Sequence, residues 1–271
     1  MGAKIWLITG CSSGLGRALG GYLLERGDRV ALTARDPTSI ADLVAAHGDN
    51  AIALGLDVIR QAEANAAVVA TVARFGGIDV LVNNAGVAIV SAVEDASDAD
   101  IRAAFDTNFF GLMNVTRAVL PIMRAQGRGH VINVSSGAGR TSAPMIGLYS
   151  ATKHAVEGMT QALALELAPH GVKVTAVEPG AYATRLTENS ITGRTSAAYA
   201  GAADAMKAYL AGGRFAPPIV GARVIAAVAD LDEPPVRVPA GTDALDMMRA
   251  AIEGQRAELE RWAELATCGE E

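Results

Sequence analysis

The segment KIWLITGCSSGLGRAL, residues 4–19, decides the fold of this chain. Its apolar run Ile5–Thr9 predicts a buried strand, and the pattern over Leu15–Glu25 predicts an amphipathic helix. Three glycines with the spacing Gly-x-x-x-Gly-x-Gly join the two elements. Such glycines permit a tight turn, close approach of the backbone to a pyrophosphate and close packing of the helix on the strand. Because the start of a helix also offers unpaired N–H groups and a partial positive charge, the segment predicts a dinucleotide site.

The rest of the chain repeats this alternation of short β-rich runs and longer helical patterns. The further predicted strands are Arg29–Thr33, Ala51–Leu56, Asp79–Val82, His130–Ser135, Lys173–Val177 and Val236–Pro239. The further predicted helices are Ile40–Ala46, Ala62–Phe75, Asp98–Gln126, Ser150–Leu167 and a C-terminal helix, Thr242–Leu265, with Thr242 as its candidate N-cap. Almost continuously apolar strands are expected in a parallel sheet that helices cover on both faces. The pattern therefore predicts a single α/β domain with a doubly wound Rossmann fold.

The composition excludes several classes of protein. The net charge of −6 provides no basic excess for binding nucleic acid or an anionic membrane surface. The two cysteines, Cys11 and Cys268, do not make the disulfide framework of a small secreted protein, and the four histidines lack zinc-ligand spacing. No apolar stretch is long enough to cross a membrane. We therefore expect a cytoplasmic protein with no metal, nucleic-acid or membrane partner.

The end of the second strand bears on which dinucleotide is bound. In NAD-preferring sites, an acidic residue about 20 positions after the glycines accepts a hydrogen bond from the ribose 2′-hydroxyl. Here Arg35 lies at this position, and a guanidinium pairs well with a 2′-phosphate. The neighbouring Asp36 could instead face the ribose. The sequence therefore favours NADP(H) and leaves NAD(H) open.

Tyr149 and Lys153 are four residues apart at the start of a helical pattern, so their side chains can lie on one face. A neighbouring ammonium group favours the phenolate, as does the positively charged nicotinamide ring of the oxidised cofactor. We expect the two charges together to lower the pKa of Tyr149, so that the phenol exchanges a proton with a substrate oxygen. Ser136, at the end of the fifth strand, is the candidate to hold that oxygen, with the adjacent Ser135 as its competitor. Asn108 either steadies a lysine–water relay or is a helix amide satisfied locally.

Together these motifs make the chain resemble the short-chain dehydrogenase/reductase family over nearly its whole length. The matching pieces are TGCSSGLG (9–16), LDV (56–58), NNAG (83–86), TN (107–108), SS (135–136), YSATK (149–153) and PGAYAT (179–184). The resemblance implies a sheet with strand order 3-2-1-4-5-6-7 and hydride transfer between NAD(P)(H) and a ketone or secondary alcohol. It also implies a homodimer or homotetramer, assembled through the helices at 98–126 and 150–167.

The resemblance further implies roles for individual residues. The family's catalytic tetrad matches Asn108, Ser136, Tyr149 and Lys153, of which Tyr149 and Lys153 also contact the cofactor. The other cofactor contacts, including the glycine loop and Arg35 derived above, are Gly10, Ser12, Ser13, Gly14, Leu15, Gly16, Arg35, Asp57, Val58, Asn83, Ala85, Gly86, Pro179, Gly180 and Thr184. In this pattern Asp57 and Val58 touch the adenine, and the residues Asn83-Asn84-Ala85-Gly86 support the adenosine side and the floor under the ribose. Pro179, Gly180 and Thr184 flank the nicotinamide and its carboxamide.

The stretch 185–218 interrupts the alternation after the sixth strand. It follows a strand at the carboxyl edge of the sheet, where ligands bind in this architecture, so we expect a substrate lid. Residues 87–89, 137–148 and Tyr182 would complete the pocket. Its apolar residues would be Met145, Ile146, Leu148, Leu186 and Phe215, and its few charges Arg140, Arg185 and Arg194. This composition favours a moderately apolar ketone or secondary alcohol, unless the same residues only pack the lid against the sheet.

Two other functions stay open at this point. One is a non-catalytic dinucleotide-binding sensor or interaction module, and an intact tetrad counts against it. The other is an epimerase or dehydratase that acts on a nucleotide sugar, which the glycine spacing and the short chain disfavour. Turnover of NADPH with carbonyl compounds would exclude the first, and product formed without net cofactor turnover would reveal the second.

Overall fold

The computed structural model describes residues 2–184, 186, 190–213 and 215–269, and a parallel sheet forms its centre. Its strands are β1 (Ile5–Ile8), β2 (Arg29–Ala34), β3 (Ala51–Gly55), β4 (Val80–Asn83), β5 (Ile89–Val90), β6 (Gly129–Val134), β7 (Val172–Pro179), β8 (Ile191–Thr192) and β9 (Arg237–Ala240). Seven of them form one sheet in the order β3-β2-β1-β4-β6-β7-β9. The two-residue strands β5 and β8 lie outside this sheet. When only the seven strands of the sheet are numbered, their order is 3-2-1-4-5-6-7, and the predicted order is confirmed.

Helices cover both faces of the sheet. They are α1 (Gly14–Glu25), α2 (Ala41–His47), α3 (Gln61–Phe75), α4 (Asp98–Phe105), α5 (Leu112–Gln126), α6 (Gly147–Leu167), α7 (Ala200–Gly212), α8 (Ile219–Ala229), α9 (Thr242–Arg261) and α10 (Ala263–Thr267). A π-helical segment, Asp106–Gly111, joins α4 to α5. Among the described residues, none of the helices combines the length and apolar character that a membrane span requires.

The helices differ from the sequence-based expectations in four respects. The helix predicted over 98–126 is interrupted by the π-helical segment. Helix α8 escapes prediction because its sequence, IVGARVIAAVA, is apolar nearly all round and lacks the polar face that marks an amphipathic helix. Thr242 is the first helical residue of α9 and Gly241 is its N-cap, so the prediction of Thr242 as the cap is wrong. The predicted C-terminal helix also divides at Trp262 into α9 and α10.

The apolar residues of β1 divide between two core layers. Trp6 and Ile8 belong to the layer that β1 forms with α1 and α8. Ile5 and Leu7 belong to the layer on the other face, with α3 and α5. Side chains alternate across a strand, so a strand covered on both faces needs apolar residues at consecutive positions. This burial, worth about 1.5–3 kcal/mol for each fully buried Leu or Ile, holds the strand that begins the glycine loop.

The carboxyl ends of β1, β4, β6 and β7 meet at one edge of the sheet, because these neighbouring strands are parallel. The glycine loop follows β1, and the NNAG, SS and PG motifs lie at the ends of β4, β6 and β7. Topology alone thus gathers motifs that lie far apart along the chain at the edge where ligands bind in open α/β sheets.

Candidate active site

The glycine loop between β1 and α1 has little room for side chains. Gly10 has a φ of +74°, and a Cβ on it would lie 2.8 Å from the Cα of Ala85. Gly14 has a φ of +59°, and a Cβ on Gly16 would lie 2.5 Å from the carbonyl oxygen of Gly10. Ser13 is the N-cap of α1, yet its side chain makes no capping hydrogen bond. The N–H groups of the first helical turn therefore lack a side-chain acceptor from the cap, which fits an anionic pyrophosphate.

The two remaining residues of the loop differ in exposure. Ser12 is exposed at the loop surface, whereas Leu15 is buried in the core with α1. A hydroxyl at Ser12 can meet a ligand, while Leu15 can offer only its backbone N–H.

A threonine joins the glycine loop to the NNAG motif. The Oγ1 of Thr9 accepts hydrogen bonds from the backbone N–H groups of Asn84 and Ala85, each at 2.9 Å. In return, the Nδ2 of Asn84 donates to the carbonyl oxygens of Thr9 at 2.8 Å and Gly10 at 3.1 Å. Sequence reasoning assigns no role of its own to Thr9, although this residue lies in the quoted TGCSSGLG motif. Together Thr9 and Asn84 hold the loop and the motif in one rigid unit.

Asn83 directs its side chain into the protein. Its Nδ2 donates to the Oγ1 of Thr116 and the Oδ1 of Asn133, both at 2.9 Å, and all three residues are buried. The side chain thereby connects β4 with β6 and α5. Only the backbone of Asn83 is left to act in the predicted cofactor contact.

Asp57 and Val58 follow β3 at the same sheet edge. Val58 is buried, and its Cγ2 would lie 2.6 Å from a Cβ on Gly111, so it packs against the π-helical segment. The Asp57 carboxylate lies 3.9 Å from the Nε of Arg60. The side chain of Asp57 is partly exposed and can still meet an adenine, whereas Val58 is mostly covered by Gly111.

The two charged residues after β2 have different environments. Arg35 is exposed, and no described acidic residue forms an ion pair with it. The Oδ1 of Asp36 accepts hydrogen bonds from the backbone N–H and the hydroxyl of Thr38, at 2.9 and 2.7 Å. These two bonds lower the pKa of Asp36. The carboxylate of Asp36 therefore caps the short helical turn Pro37–Ile40, while the guanidinium of Arg35 is free to meet an anion.

Tyr149 and Lys153 lie in the first two turns of α6 with their side chains close together. The Nζ of Lys153 is 5.8 Å from the centroid of the Tyr149 ring. Lys153 is buried, and its Nζ donates to the carbonyl oxygen of Val134 at 2.9 Å. Val134 is the last residue of β6, so this bond places the ammonium group at the carboxyl edge of the sheet.

Burial decides the direction in which the pKa values of Tyr149 and Lys153 are shifted in the protein alone. Burial raises the pKa of Tyr149, and a hydrogen bond with the side chain of Ser136 opposes this shift only in part. Burial lowers the pKa of Lys153 to about 8, and the negative charge of Glu157 opposes the shift. In the protein alone, burial of the phenol is therefore the dominant cause, and the net shift of the Tyr149 pKa is upward. The expected lowering by Lys153 together with the oxidised cofactor stays a prediction for the complex. At neutral pH the phenol is protonated.

The structure separates the two candidate serines. Ser136 is half-buried, hydrogen-bonds Tyr149 and accepts from the N–H of Ala138 at 3.1 Å. Ser135 is buried, and its Oγ has no hydrogen-bond partner among the described residues. Only Ser136 thus lies beside the phenol, as the spacing predicts.

Asn108 lies in the π-helical segment and is fully buried. Its Oδ1 accepts from the N–H of Val87 at 2.8 Å, and its Nδ2 donates to the carbonyl of Val87 at 2.9 Å and the hydroxyl of Thr152 at 3.0 Å. A Cβ on Gly86 would lie 3.2 Å from the Oδ1 of Asn108 and 3.8 Å from the Nζ of Lys153. π-Helical turns are frequent at functional sites, and this one directs the amide at the NNAG motif. Thr152 is a second residue that sequence reasoning missed.

The loop after β7 folds back over the glycine loop. A Cβ on Gly14 would lie 3.2 Å from the Cβ of Thr184, so the two loops are in contact. Gly180 follows Pro179 directly, and any side chain there would collide with the carboxylate of Asp243 from α9. The N–H of Ala181 donates to this carboxylate at 2.8 Å. The C-terminal helix thus holds the segment predicted to flank the nicotinamide.

The segment after β8 lies against residues near the site. Strand β5 pairs with β8, and the Oδ2 of Asp95 accepts from the N–H of Ser196 at 2.7 Å. Met145 packs beneath α7 with Ala203 and Met206, in a backbone conformation with φ of +72° that is uncommon for a non-glycine residue. Met145 therefore packs the lid onto the domain, as the alternative interpretation of the apolar residues predicts.

Two further residues expected around the substrate have other partners. The hydroxyl of Tyr182 donates to the carbonyl of Ala240 at 2.6 Å, and its ring packs on the core formed with α8. Arg140 forms an ion pair with the buried Glu178 at 3.1 Å. Both side chains thus support the framework, and their place beside the substrate stays a prediction. Arg185 lies outside the described residues.

The described part of the chain contains no group of His, Cys, Asp or Glu residues that could hold a metal ion. Cys11 is buried in the glycine loop, and burial raises the pKa of its thiol to about 12, which leaves it unreactive at neutral pH.

Known proteins share this sequence and this arrangement. The sequence profile of the short chain dehydrogenase family matches residues 4–195, more than half of the chain. A protein of Botryotinia fuckeliana (strain B05.10) called Oxidoreductase BOA17 is 38% identical over 268 residues, which cover 97% of this chain and 98% of that protein. The crystal structure of a short-chain dehydrogenase from Streptomyces avermitilis matches with a TM-score of 0.90 and 38% identity over 98% of both chains.

Solved structures with the same fold hold either form of the dinucleotide. A 3-ketoacyl-(acyl-carrier-protein) reductase from Brucella melitensis, complexed with NADH, has a TM-score of 0.75 and 27% identity over 89% of this chain and 98% of that one. A serine dehydrogenase in its closed form, complexed with NADP+, has a TM-score of 0.76 and 30% identity over 87% and 93%. With the family profile and a full-length relative in agreement, this chain belongs to the short-chain dehydrogenase family of oxidoreductases.

Proposed function

We propose that this protein catalyses reversible hydride transfer between NADP(H) and a ketone or secondary alcohol, with Tyr149 as the proton-transfer residue. The observation that carries the proposal is the position of Gly86, where a Cβ would lie 3.2 Å from the Oδ1 of Asn108 and 3.8 Å from the Nζ of Lys153. Gly86 belongs to the motif that Thr9 fastens to the glycine loop. The dinucleotide loop and the proposed proton-transfer residues are therefore neighbours.

Each of the proposed residues has a different role in the reaction at the substrate oxygen. The bound dinucleotide supplies or accepts the hydride. Tyr149, protonated at neutral pH because burial raises its pKa, gives its proton to the carbonyl oxygen during reduction and takes it back during oxidation. Ser136, which hydrogen-bonds Tyr149, holds the same oxygen as negative charge develops on it. The ammonium group of Lys153 stabilises the phenolate that remains after proton transfer.

Asn108 is proposed to act through Lys153. Its amide is fixed by three hydrogen bonds, to both backbone groups of Val87 and to Thr152. A buried amide held so firmly keeps the π-helical segment in place beside Lys153. The proposal is that a water molecule held there passes protons between the ammonium group of Lys153 and solvent.

The environment of the dinucleotide ribose supports a preference for NADP(H). Arg35 is exposed without an acidic partner in the described residues, and a guanidinium suits a 2′-phosphate. In Asp36, which could accept from the 2′-hydroxyl of NAD(H), one of the two carboxylate oxygens, Oδ1, already accepts two hydrogen bonds from Thr38. The proposal is therefore that Arg35 selects the phosphorylated dinucleotide.

The surroundings of the site favour a moderately apolar substrate. Of the three charges expected there, Arg140 is paired with Glu178 and directed to the framework. The apolar Ile146 and Leu148 lie just before Tyr149 and are half-buried. We propose that these residues and the segment 190–213 form the walls of the substrate pocket.

Assembly as a homodimer or homotetramer through α4, α5 and α6 is also proposed. Phe110 beside α5 and Leu165 on α6 are large apolar side chains with 54% and 75% exposure, as a self-association surface requires.

A panel of ketones and keto acids tests the proposed function. We expect the absorbance of NADPH to fall when apolar ketones are added. With NADP+ and the matching alcohols, we expect this absorbance to rise as NADPH forms. A preference for keto acids would contradict the substrate class. Binding of NADPH without turnover of any carbonyl compound would contradict the enzyme and favour a sensor, and product formed without net NADPH consumption would favour an epimerase.

A further inference from the structure

Two buried carboxylates, Glu157 on α6 and Glu178 on β7, each pair with a partly exposed arginine. The Nε of Arg237 is 2.8 Å from the Oε2 of Glu157, and a nitrogen of Arg140 is 3.1 Å from the Oε1 of Glu178. Both carboxylates are almost fully buried, with 5% and 2% exposure of their side chains. Buried charges are rare and costly, so their retention calls for a physical reason.

We propose that Glu157 is a positioning residue, whose carboxylate, held by Arg237, keeps Lys153 in its charged ammonium form beside Tyr149. This inference deepens the proposed function and rests on it for the role of Lys153. It assigns to Glu157 an electrostatic task in addition to packing.

The helix geometry brings the two charges to one side of α6. Glu157 is four residues after Lys153 and both are buried, so the carboxylate lies one turn from the lysine on the same face. A Cβ on Gly139 would lie 3.1 Å from the Cγ of Glu157 and 3.3 Å from the carbonyl oxygen of Lys153. The turn that follows Ser136 therefore packs on this side of α6, against the Glu157 side chain and the backbone of Lys153. Both side chains are buried, and a charge interaction is stronger in a buried environment than in water.

The hydrogen bonds of Glu157 are incomplete for a purely structural residue. Its Oε2 accepts from Arg237, which also donates to the Oε1 of Gln161 at 3.0 Å. Its Oε1 is buried without a hydrogen-bond partner in the described part of the chain. A buried unsatisfied oxygen costs about 1–3 kcal/mol. An apolar residue at this position would avoid that cost, so the negative charge itself is the feature that needs explaining.

The charges around Lys153 give the expected direction of the effect. Glu157 is the carboxylate that raises the pKa of Lys153 against the lowering by burial. Glu157 also raises the pKa of Glu178, which comes from β7, while Arg140 and Arg237 act on Glu178 in the opposite sense. Removing the charge of Glu157 should thus lower the pKa of Lys153 below about 8 and leave more of the lysine neutral at physiological pH.

Titration of the lysine side chains by NMR tests the proposal without any substrate. The chain has four lysines, so ¹³C labelling at Cε gives few signals, and the signal missing from Lys153→Arg identifies Lys153. In Glu157→Gln we expect the pKa of Lys153 to fall by half a unit or more, about a threefold change in its acid dissociation constant. Glu157→Asp keeps the charge and should restore most of the original value. A pKa unchanged in Glu157→Gln would overturn the proposal.

Glu178→Gln is the matched control, because it also removes a buried, arginine-paired carboxylate but from β7. We expect it to leave the pKa of Lys153 within about a tenth of a unit, and an equal fall in both variants would overturn the specific role of Glu157. Should Glu157→Gln fail to fold, Glu157→Met removes the charge with an apolar side chain of similar length. If the protein turned over no carbonyl compound, the proposed function would be refuted. The titration would still test the role of Glu157, because it measures the pKa of Lys153 and needs no turnover.

Discussion

The carboxylate of Asp243 accepts a hydrogen bond from the backbone N–H of Ala181, with 2.8 Å between the nitrogen and Oδ2. Asp243 lies in the first turn of α9, and Ala181 lies in the loop after β7. The two are 62 residues apart in the sequence, and Asp243 lies beyond the residues that the family profile matches. This contact makes the C-terminal helix part of the proposed nicotinamide site.

Replacing Asp243 with alanine should weaken cofactor binding more than it slows turnover. A hydrogen bond to a charged group contributes about 1.5–3 kcal/mol, so we expect the KM for NADPH to rise by about tenfold or more, with a smaller change in kcat. Steady-state kinetics with varied NADPH measure both. Asp246→Ala is the control, since Asp246 is exposed one turn along α9 and only reaches Arg249, at 3.7 Å. Equal KM values in the two variants would refute the role of Asp243.

Replacing Arg35 with aspartate should turn the cofactor preference toward NADH. The substitution removes the proposed partner of the 2′-phosphate and supplies an acceptor for a 2′-hydroxyl. We expect the ratio of kcat/KM for NADPH to that for NADH to fall by at least about tenfold, equivalent to about 1.4 kcal/mol. Arg256→Asp, at an exposed position on α9, controls for the change in net charge. An unchanged ratio in Arg35→Asp would mean that this residue does not read the phosphate.

His130 should make the fold sensitive to acid. It is buried on β6, its Nε2 lies 2.9 Å from the hydroxyl of Thr175, and its Nδ1 has no partner in the described residues. Burial lowers its pKa to about 3, with the charges of Lys173 and Lys4 acting in the same direction. Between pH 6.5 and about pH 3, His130 is therefore protonated in the unfolded chain but neutral in the folded protein. In this range the free energy of unfolding falls by about 1.4 kcal/mol for each unit by which the pH is lowered.

Urea unfolding at pH 7 and pH 5 measures this effect. We expect His130→Gln to lose about 2 kcal/mol less stability between these pH values than the unsubstituted protein does. His170→Gln, at an exposed position, should behave like the unsubstituted protein. If His130→Gln retains the full loss of stability between pH 7 and pH 5, His130 does not cause it.

The sequence predicts the features of this site that depend on neighbours along the chain. The strand, the three glycines and the helix of residues 5–25 form a local unit, and parallel strands must bring their carboxyl ends to one edge. The spacing of Tyr149 and Lys153 on one helix follows from the same local geometry. These features could be derived because short-range periodicity fixes them.

Features that depend on distant contacts could not be derived. Nothing near Gly180 in the sequence indicates that a carboxylate from α9 will occupy the space beside it. The π-helical turn at Asn108 is set by packing against Val58 and by bonds to Val87, which a periodic pattern does not reveal. The direction of the pKa shift of Tyr149 in the protein alone also required the structure, since the burial that raises this pKa cannot be derived from the spacing of the residues.

The most direct test of the account is turnover and cofactor binding in Tyr149→Phe. This substitution removes only the hydroxyl that is proposed to exchange a proton with the substrate oxygen. We expect kcat to fall by at least about a hundredfold, as for loss of a general acid, while the Kd for NADPH measured by fluorescence titration stays within about threefold. Near-normal turnover in Tyr149→Phe would contradict the assignment of Tyr149 as the proton-transfer residue.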